Sequence, residues 1–259
     1  NDQGVDWQIT GSQGGSVSNR AAEFTQVSEL DGGDGDDTFT LNSTAQGVNI
    51  DGGTGDNRVV YQLTDNEGEA QAATWSLTGA SAGSIRTSSG DANTFENTQA
   101  LIGSGYDTLT GQNDATRWLI ASADGGSVGA ETQQSDSYLT FTGMAMLQGG
   151  TAADHFSIVE NGRQFTGAID GGANGGNQLE ATDANNDWLL TGTGTGSLNN
   201  ALTFSNIQTL VGGGEGNTLT GPNRSNRWTL SSEQSGSVAE QGVSATTTNF
   251  TGMDTLVGG

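Results

Sequence analysis

The sequence writes one pattern five times. Segments starting at Trp7, Trp75, Trp118, Trp188 and Trp228 read WQITGSQGGSV, WSLTGASAGSI, WLIASADGGSV, WLLTGTGTGSL and WTLSSEQSGSV, and they align without a gap. Each carries Trp, any residue, Ile or Leu, and later Gly-Ser followed by an aliphatic. A Phe comes next, with a Leu six residues beyond it: Phe24/Leu30, Phe95/Leu101, Phe141/Leu147, Phe204/Leu210 and Phe250/Leu256. All five Trp and five of the eight Phe fill these slots, which makes the ten of them the predicted core anchors. Self-similarity of this kind means a repeat architecture, in which each unit buries its apolar residues against its neighbours.

The Trp copies lie 68, 43, 70 and 40 residues apart, so a long unit alternates with a short one and the full period is about 111 residues. The chain divides into super-repeats 1–111, 112–221 and a partial 222–259, read together as a single solenoid segment of a longer protein. The long units carry an additional element. A Leu-x-Gly-Gly turn is followed about 20 residues later by Ile-Asp-Gly-Gly, at Ile50 and Ile169. Taking the Trp, Leu and Ile anchors as coil starts gives about 22 residues per coil and about 11 coils. Short alternating apolar runs such as Trp7-x-Ile9 and Phe39-x-Leu41 predict strands with one buried face. Gly, Asn, Asp and Ser fill the corners. The predicted fold is all-β, a right-handed parallel β-helix, its coils stacked at about 4.8 Å and the handedness set by the usual sense of parallel crossovers.

Composition narrows the partners. The chain has 43 Gly, one Pro, no Cys and no Lys, and its 30 Asp and Glu against seven Arg give a formal charge of −23. Such a surface repels nucleic acid and anionic membranes and attracts divalent cations or basic partners. No apolar run approaches the roughly 18 residues of a membrane helix, so no membrane insertion is expected. The gap between the Gly-Ser aliphatic and the Phe varies from copy to copy, as insertions at one corner of a solenoid do. That corner is either a tolerated surface loop or a binding face.

The sharpest chemical signal is acidic. GGDGDDTFT at 32–40 fits the nonapeptide G-G-x-G-x-D-x-U-x of calcium β-rolls, and GGTGDNRVV at 52–60 fits with Asn57 in place of Asp. Stacked turns would gather Asp31, Asp34, Asp36, Asp37, Asp51, Asp56 and Asn57. Two unit charges about 5 Å apart in water repel by roughly 0.8 kcal/mol, and a hard cation with oxygen ligands relieves such repulsion. Calcium is therefore the one cofactor candidate, and none is required. The opposing reading makes these Asp turn formers, because the second long unit reads GGTAADHFS and GGANGGNQL and has lost most of the acids. Catalysis finds little support. Asp36, Asp37 and Asp56, or Asp183 and Asp187, could pair as carboxylates, but an active site is a unique constellation and this chain repeats itself. The one His, His155, is read as a solvated strand residue.

The W-x-[IL]…G-S-[VIL] copies, the Phe/Leu pairs and the L-x-G-G turns resemble the repeats of large secreted bacterial surface proteins. These are the filamentous-haemagglutinin-like and giant adhesin-like proteins built on parallel β-helices, here with RTX-like turns. The resemblance implies a secreted or cell-surface location in a bacterium. It also implies a non-enzymatic structural or adhesive segment of a long fibre, used in cell-surface or biofilm-matrix attachment. Its partners would be neighbouring repeats of the same chain, end-to-end or lateral self-association, a glycan or a surface protein. The alternatives are a calcium-dependent sugar- or protein-binding module and a polysaccharide-active β-helix enzyme.

Overall fold

The computed structural model describes residues 4–18, 20, 22–62, 71–87, 90–132, 138–183, 185–242 and 247–259. It is all-β: the described residues form 26 strands and one 3-10 turn, Glu160–Gln164. In chain order the strands are β1 (Asp6–Gly11), β2 (Gly14–Val17), β3 (Ala22–Phe24), β4 (Glu29–Asp31), β5 (Thr38–Leu41), β6 (Asn49–Asp51), β7 (Arg58–Tyr61), β8 (Thr74–Gly79), β9 (Ala82–Arg86), β10 (Asn93–Glu96), β11 (Ala100–Thr110), β12 (Thr116–Ile120) and β13 (Gly126–Ala130). They continue with β14 (Leu139–Gln148), β15 (His155–Ile158), β16 (Ala168–Asp170), β17 (Gln178–Ala181), β18 (Asp187–Gly192), β19 (Thr195–Leu198), β20 (Leu202–Ser205), β21 (Thr209–Val211), β22 (Thr218–Thr220), β23 (Asn226–Ser232), β24 (Ser235–Glu240), β25 (Thr248–Thr251) and β26 (Thr255–Val257).

Two compact units form, residues 1–112 with 133–146 and residues 113–132 with 147–259. Their boundaries cut across the sequence repeats, because the Trp118 copy is divided between them. No helix among the described residues is long and apolar enough to cross a membrane.

Each Trp copy begins an antiparallel meander, which the parallel-only expectation did not contain. β1 pairs with β2 and β2 with β3, so Trp7 faces Val17 and Gly15 faces Phe24. β8–β9–β10, β18–β19–β20 and β23–β24–β25 repeat this arrangement, and β12 pairs with β13 in the same register. The meander accounts for the motif. Within it the Phe ring lies edge-on to the Trp, with centroids 6.1 Å apart at Trp7/Phe24, 6.2 Å at Trp75/Phe95 and 5.8 Å at Trp228/Phe250. The same ring covers the Gly of Gly-Ser. A Cβ at Gly83 would stand 2.7 Å from the Phe95 Cζ, and one at Gly196 2.8 Å from that of Phe204. Only glycine lets the ring lie there.

Parallel rows carry the core. In the first unit Trp7, Phe39, Val59 and Leu101 align across β1, β5, β7 and β11. Leu30, Ile50 and Phe95 align across β4, β6 and β10, and Trp75 aligns with Leu109. In the second unit Trp118, Phe156, Leu179, Leu210 and Phe250 form the corresponding row. Trp188, Leu219 and Leu256 form another. Parallel partners are 20 residues apart where Thr38 meets Arg58 and 23 where His155 meets Gln178, close to the expected coil. The step lengthens to 45 where Asn49 meets Thr94, because the intervening chain builds a meander.

Among the predicted anchors, Trp75 and Trp118 are 0% exposed and Trp188 1%. Phe95, Phe141, Phe204 and Phe250 are buried as well. Trp7, Trp228 and Phe24 are only half-buried. Phe24 sits on β3, whose strand pairing among the described residues is to β2 alone, and Trp228 sits on β23, paired to β24 alone. The core stripe is right; among the described residues Phe24 and Trp228 lack a covering strand on one side, whereas Trp7 has strands on both sides and packs edge-on against the half-buried Phe24.

Candidate functional site

The acidic turns stack as their 20-residue spacing suggests. Gly32 N–H donates to the Asp51 carbonyl at 2.9 Å, Thr54 N–H to the Gly33 carbonyl at 2.9 Å and Arg58 N–H to the Asp37 carbonyl at 2.9 Å. Gly33 and Gly35 take φ of 86° and 106°, which a side chain would strain. Asp34, Asp36 and Asp56 are exposed on this corner beside Asp31 and a half-buried Asp51. Four of these five carboxylates accept hydrogen bonds from their neighbours. Asp31 Oδ1 accepts from Gly33 N–H at 2.9 Å, and Asp51 Oδ1 accepts from Gly53 N–H at 2.9 Å and Asn97 Nδ2 at 2.7 Å. Asp36 Oδ1 accepts from Asp56 N–H at 2.8 Å, and Asp34 Oδ1 from the Thr54 hydroxyl at 3.0 Å.

Asp37 and Asn57 turn inward instead, both 0% exposed. They belong to a ladder in which a side-chain oxygen accepts the backbone N–H that precedes the adjacent strand of the row. Val5 N–H donates to Asp37 Oδ1 at 2.6 Å, Asp37 N–H to Asn57 Oδ1 at 2.9 Å and Asn57 N–H to Gln99 Oε1 at 2.7 Å. The second unit repeats it through Thr116, Asp154, Asn177 and Gln208, each step 2.9 Å. Ala73 with Asp107, and Asn186 with Asn217, are shorter versions. These residues satisfy backbone donors that burial would otherwise leave unpaired.

The second side-chain atom follows a rule set two residues before Gly33 or its equivalents. Where the ladder residue is Asn, its Nδ2 donates to a carbonyl of the adjoining turn: Asn57 to Asn97 at 3.1 Å, Asn177 to Asn206 at 3.0 Å. Asp51 and Asp170 are then free to hold the Gly53 and Gly172 amides. Where the ladder residue is Asp154, the upstream residue is Gln148, and the Gly150 amide goes to Asp154 Oδ2 at 2.9 Å. Asp37 combines both acids. Asp31 holds the Gly33 amide, and Asp37 Oδ2 is buried with no partner. The Gly52 carbonyl, another acceptor, crowds the same space beside Gly32.

The electrostatics follow. Burial pushes the Asp37 carboxyl up; the Val5 amide opposes this, while Asp36, Asp31 and Asp6 add to it. Burial also pushes Asp154 up, against its bonds from Thr116 and Gly150. Asp51 is held below the usual carboxylate range by Asn97 and then by the Gly53 amide. Among the described residues no three His, Cys, Asp or Glu side chains converge as a metal site would require. The stacked turns thus gather Asp31, Asp34, Asp36, Asp51 and Asp56 at one corner, and put Asp37 and Asn57 to work inside the fold.

No protein-family profile matches this sequence, and no curated protein sequence matches it.

Two open clefts lie in the first unit. One, of about 630 Å³, is lined in part by Asp56, Arg58, Gln99 and Tyr138. The other, of about 680 Å³, follows the outer face of β4, β6 and β10 past Glu29, Asp51 and Glu96. The variable corner falls partly on 19, 21, 88–89, 133–137 and 243–246, outside the described residues. Asp183 lies 4.0 Å from Arg163, and Asp187 is exposed on β18.

His155 is the polar residue that sequence reasoning placed least well. Its Nε2 lies 3.0 Å from Glu180 Oε2, 3.0 Å from Gln178 Nε2 and 3.3 Å from Ser157 Oγ, and its Nδ1 lies 3.3 Å from Arg117. Ser157, 1% exposed, also donates to Glu180. The hydroxyl and the carboxylate share one ring nitrogen, whereas a serine nucleophile's base needs them on opposite nitrogens. The cluster ties β12, β15 and β17 together across their outer face. Only the register, Arg117 to His155 to Gln178, brings its members together.

Proposed function

We propose that this chain is a non-enzymatic structural and adhesive segment, a right-handed β-solenoid in the stalk of a secreted bacterial surface protein of the filamentous-haemagglutinin or giant-adhesin kind. One observation carries the reading. The polar residues that recur, Asp37, Asn57, Asp107, Asp154, Asn177 and Asn217, are all buried and serve the fold. Repetition is what a spacer needs, and a catalytic constellation is not repeated. The exposed acids and the formal charge of −23 give the outer surface a weak, distributed affinity for basic or cation-bridged partners.

The test has two arms. Beads coated with the chain are assayed for attachment to glycan- and matrix-coated surfaces, and the soluble chain is incubated with acidic and neutral polysaccharides. Attachment without turnover supports the reading. Polysaccharide cleavage that Asp36→Ala or Asp56→Ala abolishes would overturn it in favour of an enzyme. Calcium enters through one observation, the unpaired inward oxygen of Asp37. Thermal melts with calcium and with chelator decide it. A calcium-dependent rise lost in Asp37→Asn supports metal at this corner, and equal melts remove it.

A further inference from the structure

We propose that a cleft of about 400 Å³, beside the tip of the β18–β19 hairpin and strand β25, is a binding site for an uncharged sugar. The proposal rests on the adhesive reading above and gives that adhesion one address. Among the described residues the polar lining is Thr193, Asn206, Gln208, Thr247 and Asn249.

The cleft is a feature of the repeat. The first unit's cleft of about 630 Å³ occupies the same place, with Ser81 at the hairpin tip, Gln99 for Gln208, and Tyr138 and Thr140 where Thr247 and Asn249 stand. The backbone bonds are the same as well. Thr98 N–H donates to the Ser81 carbonyl and Ile207 N–H to the Gly194 carbonyl, each at 3.1 Å. Thr140 N–H donates to the Gln99 carbonyl at 3.0 Å, and Asn249 N–H to the Gln208 carbonyl at 2.9 Å. The first cleft is open although the chain runs on far beyond Thr140, so the opening does not depend on a chain end.

Chemistry narrows the occupant. A strand has no edge to join here, because β25 is paired by β21 on one side and β24 on the other, and β21 lies between β17 and β25. Recognition falls to side chains. Gln208 commits its Oε1 to the Gly176 and Asn177 amides, both at 2.9 Å, which leaves Nε2 as a donor. The Asn249 carboxamide and the Thr193 and Thr247 hydroxyls have no hydrogen-bond partner among the described residues. None of the five lining side chains is ionisable, on a chain with 30 Asp and Glu. A cation finds no carboxylate in this lining, and an anion no guanidinium. Uncommitted carboxamides and hydroxyls suit a neutral molecule dense in groups that both donate and accept. A carboxamide can hold two adjacent hydroxyls, one through N–H and one through C=O. Neutral sugars have that chemistry, and the volume lies in the usual range of small-molecule pockets, about 300–1,000 Å³. The first cleft departs from this pattern. Thr140 donates its hydroxyl to the Gln99 carbonyl at 3.0 Å, and Asp56 and Arg58 bring charge to the lining. The sugar is therefore placed in the second.

The experiment is a nitrogen-15 NMR titration of the full chain with maltohexaose, laminarihexaose and mannohexaose, and with hexagalacturonate as the charged counterpart. Saturable shifts of the Asn249 and Gln208 side-chain amides are expected with at least one neutral sugar and not with the charged one. Asn249→Ala should weaken that sugar about tenfold, as loss of a carboxamide's hydrogen bonds does. Asn249 is exposed, so the variant should fold, which circular dichroism checks. Thr140→Ala, at the same place in the first cleft, should bind as the parent does. The site is overturned if none of the three neutral sugars shifts these amides, if Asn249→Ala binds as tightly as the parent, or if hexagalacturonate is preferred. The bead assay keeps the two readings apart. Attachment to glycan-coated surfaces with no sugar in this cleft would remove the site and leave the adhesive reading, whereas sugar held here without attachment would do the reverse.

Discussion

The two Gly-Gly corners that open the long units have one backbone plan and two different charge plans. At the first, Asp31 and Asp37 share a turn; at the second, Gln148 and Asp154 stand in their places. Asp154 receives the Thr116 amide, the Thr116 hydroxyl and the Gly150 amide, so both of its oxygens are paired. Asp37 receives the Val5 amide alone, and Oδ2 is orphaned. The indoles differ in the same sense. Trp118 Nε1 donates to the Thr116 hydroxyl at 2.8 Å, whereas Trp7 Nε1 is buried without a partner opposite Val5's aliphatic side chain in the equivalent place. A buried carboxylate is therefore judged by the donors its neighbours leave available. Here one acid, Asp31, takes the amide that the next one needs.

Trp replacement should separate the corners most. Trp118→Ala removes a fully buried, hydrogen-bonded ring and should cost about 3–5 kcal/mol. Trp7→Ala removes a half-buried ring with an unpaired N–H and should cost about half as much or less, in proportion to the area it hides. Urea melts of the two variants measure the difference, and equal losses would erase the distinction drawn between the indoles. One step smaller is the hydroxyl itself. Thr116→Val leaves the Trp118 N–H and an Asp154 lone pair unmet, at a cost of about 2 kcal/mol. Val5→Thr offers Trp7 and Asp37 the missing hydroxyl and should gain up to about 1 kcal/mol. Destabilisation by Val5→Thr would show that the first corner has no room for the relay.

Much of this was legible in the sequence, and the limit is physical. The Trp and Phe slots predicted the core because apolar side chains at period two have one place to go. The stacking of residues 32–40 on 52–60 followed from their spacing alone. The antiparallel meander did not show, because Gly-Ser reads equally well as a corner or as a strand lying under an aromatic ring. Only the position of Phe95 over Gly83 decides between them. The inward turn of Asp37 and Asn57 was hidden for a related reason. Asp34, Asp36 and Asp37 are identical letters in one Gly-rich run, and which of them faces inward depends on the strand that begins at Thr38. His155 needed the register of three strands before its partners could be named.

Amidation of the two carboxylates should give effects of opposite sign. Asp154→Asn puts a donor where the Gly150 amide needs an acceptor and should cost about 1–2 kcal/mol. Asp37→Asn makes the first corner like the Asp51/Asn57 pair, lets Nδ2 reach the Gly52 carbonyl, and should gain about 1 kcal/mol at neutral pH. The gain has a pH signature. The folded Asp37 carboxyl titrates above its ordinary value of 3.8, so its favourable contribution is full below 3.8 and is lost as pH rises through the folded value. The Asp37→Asn advantage should therefore be absent in acid and grow on the way to neutrality. Asp51 runs the other way. Its folded value lies below 3.8, so the advantage of the parent over Asp51→Asn should be present at neutral pH and fade as pH falls through that lower value. Melting temperatures across the acid range test both, and parallel curves for the two variants would contradict the assignment of Asp37 and Asp51 to opposite environments.

The smallest expected change is also the most direct test of cause. Asp31→Gln gives the first corner the second corner's upstream residue. The Gly33 amide then loses its carboxylate partner and can turn to Asp37 Oδ2, as the Gly150 amide does to Asp154. One hydrogen bond replaces another, so global stability should move by no more than about 0.5 kcal/mol, as for most surface substitutions. The Asp37 carboxyl should nonetheless titrate lower, for two reasons that act together. It gains a donor to its charged form, and it loses the Asp31 charge that helps raise it. Carbon-detected NMR of the carboxyl, with the Gly33 amide shift followed through the same titration, reads both. If Asp37 titrates as in the parent and the Gly33 amide ignores it, then competition for that amide does not explain the orphaned oxygen.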